Sequence, residues 1–174
     1  MDLINEIFEL IDMRSFSNLW FWIVLAVMWS TVSHWVLGVP WDMVLRAKKG
    51  DPEGIEDLQD MVRISTNRIL YIATETGLVL AGFLCFVLTS LFLLGFVYDN
   101  QFSQAVFLLA FPMSLIAVLS IGTAQAIRAG GLEGEALYKR LHKHRLITQI
   151  IGMLSIFATA MWGMLQNMTA GALG

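Results

Sequence analysis

Residues 76–98 read TGLVLAGFLCFVLTSLFLLGFVY, without one Asp, Glu, Lys or Arg. A helix needs about 20 apolar residues to cross the ~30 Å hydrocarbon core of a bilayer, and this run supplies them. Residues 15–41, 100–127 and 146–174 are equally free of charge, so all 11 basic and 14 acidic residues fall outside four long apolar stretches. With 57% of the chain hydrophobic and 14% charged, the composition excludes an ordinary water-soluble domain. The expected fold is all-α: a polytopic membrane protein of four transmembrane helices forming a single domain.

The spans are placed at residues 19–39, 69–97, 105–127 and 146–166. Residues 2–13 (DLINEIFELIDM) put Leu3, Ile4, Ile7, Phe8, Leu10 and Ile11 near one helical face, as in a short amphipathic helix lying in the membrane surface; a frayed acidic tail is the alternative. Residues 40–68 form the first large loop. In it Gly50 ends one short helix and Asp51-Pro52 opens another, whose apolar stripe is Ile55, Leu58, Met61 and Val62. YDNQFS (98–103) makes a tight turn, Ala129-Gly130-Gly131 breaks the chain, and a basic helix within 128–145 feeds the last span. Residues 167–174 read as a disordered tail. Pro112 is expected to kink or loosen the third span.

Charge sets the orientation. Arg46, Lys48, Lys49, Arg63 and Arg68 lie in the first loop, and Arg128, Lys139, Arg140, Lys143 and Arg145 in the third connection, against Arg14 alone elsewhere. Basic residues mark the cytoplasmic side, so both loops are expected there as helical extensions and both termini outside. Trp20 and Trp22, and Trp35 and Trp41, suit the two aromatic belts of span one. The N-terminus carries Asp2, Glu6 and Glu9 where a signal peptide would be basic, so span one is expected to remain in the mature protein.

Association of helices in lipid relies on close backbone approach. Span two offers Ala73, Gly77, Ala81, Cys85 and Thr89 at a spacing of four; span four offers Gly152, Ser155, Thr159 and Gly163; span three offers Ser114, Gly122 and Ala126. These seams imply a compact bundle, or one seam turned to another protein.

Polar groups inside a membrane are costly and are the default place to look for function. His34, Glu75, Gln125 and Gln149 all fall toward the cytoplasmic ends of their spans. Three readings of this cluster stand: a structural network with Glu75 bonded to His34 or a hydroxyl, a pocket for a headgroup, proton or small ligand, and Glu75 as a contact for a partner's basic residue. Two bis-histidine haems would need four intramembrane histidines where this chain has one. A single haem on His34 and a loop histidine has little else to support it, and no zinc-type Cys or His cluster occurs. His142 and His144 read as part of a basic helix lying against anionic headgroups. No phosphate loop or nucleophile elbow is present, and a net charge of −3 gives no case for nucleic acid. Neither an enzyme nor a cofactor is expected.

The segment 8–44, FELIDMRSFSNLWFWIVLAVMWSTVSHWVLGVPWDMV, above all SFSNLW, SHWVLGVPWDMV and the following RAKKG, resembles small multi-pass inner-membrane proteins of alphaproteobacteria. Some of these are labelled as a component of the SufBCD iron–sulfur assembly system. The resemblance implies a bacterial inner-membrane location and a link to that machinery, though no cysteine arrangement for a cluster accompanies it. The leading expectation is a non-catalytic accessory or assembly subunit of a larger membrane complex, touching lipids and other membrane subunits. Arg46, Lys48, Lys49, Arg63, Lys139 and Arg140 are the candidate docking residues. The alternatives are an anchor for a soluble cytoplasmic complex and a small transporter or ligand-binding bundle using His34 and Glu75.

Overall fold

In the computed structural model, residues 19–172 are described, with side chains through residue 168. The expected surface helix at 2–13 and the end of the tail lie outside them. The order is α1 (Leu19–His34), a two-stranded hairpin β1 (Trp35–Val36) and β2 (Val39–Pro40), α2 (Trp41–Lys48), α3 (Pro52–Glu75), α4 (Gly77–Phe92) with a π-helical turn (Leu93–Val97), α5 (Gln101–Gly130) and α6 (Gly134–Ala172). Three of these helical stretches, Gly77–Val97, Gln101–Gly130 and Gly134–Met168, are long and apolar enough to cross a membrane; Leu19–His34 is a shorter apolar helix.

The first expected span is corrected by its end. The helix stops at His34, five residues before Val39, because Leu37 and Gly38 both take positive φ (57° and 78°) and fold the chain into an antiparallel pair, Trp35 with Pro40 and Val36 with Val39. Two consecutive left-handed residues make a turn that matches strand twist, and Gly38 is the residue that adopts it without steric cost. Pro40 stays extended, so α2 begins at Trp41. α3 opens with Pro52 at its first position, but Asp51 does not cap it; its carboxylate instead accepts from the Arg46 guanidinium at 3.2 Å. The second expected span, 69–97, is divided: α3 ends at Glu75, Thr76 leaves helical geometry (φ −122°, ψ 3°), and α4 follows. α5 is capped by Asn100, whose side chain accepts from the Ser103 amide at 3.1 Å, and stops at left-handed Gly131. α6 carries basic segment and apolar span as one helix and continues through Ala172, so the expected tail from 167 is helical that far.

The best-buried core lies at one end of the bundle. Val36, Leu37, Val39, Val44, Ala47, Leu58, Val62, Leu70, Ala124, Ile127, Leu137 and Leu141 form a single cluster drawn from the hairpin, α2, α3 and the facing ends of α5 and α6. Leu58 and Val62, on the stripe read from the sequence, are 1% and 3% exposed, with Ile55 and Met61 packed beside them. Leu25 and Trp29 of α1 and Ile116 of α5 form a second, smaller cluster. The contrast has a solvent reason: a charged end must bury its apolar face from water, whereas helices apolar enough to cross a membrane can leave theirs uncovered.

Candidate functional site

At the end of the bundle carrying the large core, the expected intramembrane cluster does not assemble. His34 is half-exposed and faces Asp42 across the hairpin at 3.7 Å. Glu75 and Gln125 are exposed and Gln149 is half-buried; none bonds another of the four among the described residues. Helical phase explains this. The buried stripe of α3 is Leu58, Val62, Thr66 and Leu70, and Glu75 lies five residues past Leu70, about 140° round the helix. Gln125 lies two residues, about 200°, from buried Thr123.

The polar contact that does form joins Thr123 of α5 to His144 of α6: the hydroxyl and Nδ1 are 3.0 Å apart, with both residues buried. His144 thus faces inward, not onto headgroups as expected, whereas His142, two positions away, is exposed beside Trp41. His144 precedes the apolar run from Leu146. Burial there, helped by the Arg140 charge, pulls its pKa down from 6.5 to about 4, so the ring is neutral at physiological pH. Close by, the Arg145 guanidinium stacks 4.4 Å over the Trp41 ring and its Nε donates to the Ser33 carbonyl at 3.4 Å, fastening the hairpin end of α1 to α6. A cavity of about 500 Å³ opens between α1, α3, α5 and α6, with Thr31, Ser65, Arg68, Ser120, His144 and Thr148 among its walls.

The candidate docking cations are partly occupied. Arg46 pairs with Asp51 (3.2 Å), Arg63 with Asp60 (2.9 Å) and Lys139 with Glu135 (3.7 Å). Lys48 and Lys49 are exposed at the end of α2, and half-buried Arg140 lies one turn before His144.

A second polar centre, missed in the sequence, is Gln104 at the opposite end. It is 1% exposed; its Nε2 donates to the Gly95 carbonyl (2.8 Å) and to Asp99 (3.0 Å), while its Oε1 accepts from Trp162 Nε1 (2.9 Å) and Gln166 Nε2 (3.1 Å). Phe92, Phe96, Phe107 and Trp162 pack ring to ring beside it. A Cβ on Gly95 would lie 2.9 Å from the Gln104 amide nitrogen, so this glycine is required by close approach. The available signal was the Gly95–Gln104 pair across the 98–103 turn, close to a helix end.

The seams differ in use. On α6, Gly152, Thr159 and Gly163 are buried, and a Cβ at Gly152 would meet Trp29 Cε3 at 2.8 Å. On α4 no residue is buried: Gly77, two turns before Leu84, is half-buried, Ala81, Gly82, Cys85 and Thr89 are exposed, and a methyl on Gly82 meets nothing within 4 Å. Gly122 of α5 is equally open. α4 packs on α5, and its half-buried Leu84, Val87, Leu88 and Leu91 mark the inner side. No protein-family model, curated protein or solved structure matches the chain.

Proposed function

We propose that this chain is a non-catalytic integral membrane protein, an accessory or assembly subunit that holds a neighbouring membrane protein through the outer face of α4. The observation carrying this reading is that face: a full helix with none of its residues buried, on which exposed Ala81, Gly82, Cys85 and Thr89 present a seam of small side chains that its own bundle leaves open. Lipid-facing helices have no need of such a seam, whereas helix pairs in membranes use one for close approach. The exposed carboxylate of Glu75, just before α4 begins, suits a basic residue of the partner.

Four spans, with both termini outside a bacterial inner membrane, fit this reading. α1 offers about 24 Å of helix, short of the ~30 Å core, a mismatch that local bilayer thinning accommodates. Its contacts support embedding: Trp29 meets Gly152 and Ser33 meets Arg145, so α1 runs antiparallel beside the apolar part of α6. The α4–α5 hairpin puts α3 and the basic start of α6 on one side, where the basic residues gather, in keeping with a cytoplasmic location. Extraction in mild detergent should yield a complex larger than the 19.5 kDa chain, with a second membrane protein in it. Recovery of the isolated chain alone contradicts the proposal.

A further inference from the structure

The basic start of α6 and the short helix α2 enclose a groove of about 610 Å³ whose walls include Lys48, Lys139, Lys143 and Arg145 with Trp41 and Tyr138. Among the described residues, the acid lining it is Glu135, already held 3.7 Å from Lys139. Lys48 and Lys143 have no acidic partner among the described residues, which leaves the groove with a surplus of cations. Arg145 is fixed by its stack on Trp41, so one wall is preorganised. The floor is apolar where Leu45 and Leu146 meet it, and both are nearly half-exposed.

The height of these groups selects the ligand. If residues 146–166 are embedded, Lys143 and Lys139 stand about 4 Å and 10 Å above the hydrocarbon boundary. The headgroup layer on each side of a bilayer is about 5–8 Å thick, so the lysines bracket it while Leu146 enters the acyl region. Arg and Lys above, an interfacial Trp between, and exposed Leu below match a phosphodiester and its acyl chains. An acidic protein segment would match the cations but not Leu45 and Leu146.

We infer that this groove binds the headgroup of an anionic phospholipid of the cytoplasmic leaflet, its phosphodiester against Lys48, Lys143 and Arg145 and its acyl chains along Leu45 and Leu146. The inference rests on the embedding of residues 146–166 and is independent of any partner subunit.

The test is titration of the purified full chain in neutral detergent with phosphatidylglycerol, counting bound lipid by native mass spectrometry, with phosphatidylcholine as the zwitterionic control. Phosphatidylglycerol should bind more tightly. Lys48→Gln and Lys143→Gln should each weaken it about fivefold, the worth of one basic residue at a charged membrane surface, and Lys143→Arg should retain it. Arg63→Gln, outside the groove, should bind as wild type, and thermal midpoints of these four variants and of the Lys48→Gln/Lys143→Gln double variant should confirm that they fold. The inference is overturned if both lipids bind alike or if the Lys48→Gln/Lys143→Gln chain binds as wild type. Displacement of phosphatidylglycerol by inorganic phosphate, or by a polyglutamate peptide, would equally overturn it, assigning the groove to a small anion or to a protein.

Discussion

Trp162 on α6 donates its indole N–H to the side-chain oxygen of Gln104 on α5 at 2.9 Å, 58 residues away in sequence, and Gln104 passes the connection on to Gly95 and Asp99. One amide therefore ties α5, α6 and the π-helical turn together at the end of the bundle remote from the large core. A buried amide with all its groups partnered specifies an arrangement strongly, because no alternative packing satisfies the same four bonds.

Gln104→Leu should lower stability by about 1–3 kcal/mol, since it leaves the Gly95 carbonyl and the Trp162 indole without their partner in an apolar layer. Thermal unfolding in detergent reads this, and Asn100→Ala, which removes only a helix cap, should cost about 1 kcal/mol.

Gly152 and Trp29 should be coupled. Gly152→Ala places a methyl 2.8 Å from the indole ring and should cost about 1–3 kcal/mol, whereas in a Trp29→Leu background the same change should cost much less. A double-mutant cycle on unfolding midpoints measures the coupling.

Acid should loosen the end of the bundle that holds His144. Its folded-state pKa, near 4, lies below the unfolded value of 6.5, so between these values the unfolded chain binds more protons and stability rises with pH. The contribution is whole above pH 6.5 and is lost as pH falls toward 4. The unfolding midpoint of the wild type should drop more steeply between pH 7 and 5 than that of His144→Leu.

Gly82→Leu and Gly122→Leu should leave the isolated chain folded, because both sites are exposed and the first added carbon meets nothing within 4 Å at either. If the α4 face holds a partner, Gly82→Leu should nevertheless reduce co-purification severely. Equal recovery of partner with both wild type and Gly82→Leu would exclude that face as the interface.

The helices were legible because charge-free runs and breaker residues are local signals: Gly50, Asp51-Pro52 and Gly131 each end or begin an element where the sequence places the boundary. The stripe of Leu58 and Val62 was legible for the same reason, as periodicity within one helix. The polar site was not. Proximity along the membrane normal suggested that His34 and Glu75 meet, but contact depends on helical phase, which a tertiary feature altered when the Leu37–Gly38 turn sent His34 toward Asp42. Gln104 was passed over, and His144 was assigned to the headgroups, because both flank the apolar runs, and helix ends are where packing among elements decides what is buried. Which seam closes the bundle and which stays open was likewise hidden: Gly152 and Gly77 are alike in sequence, and only the position of Trp29 separates them.

Cys85, exposed at mid-seam on α4, permits the most direct test of the proposed function, as it is the chain's single cysteine. A thiol-linked photo-crosslinker placed there in native membranes should yield, on illumination, an adduct with one distinct membrane protein, and Gly82→Leu should abolish it. Adducts with lipid alone, or with a second copy of this chain alone, would contradict the account.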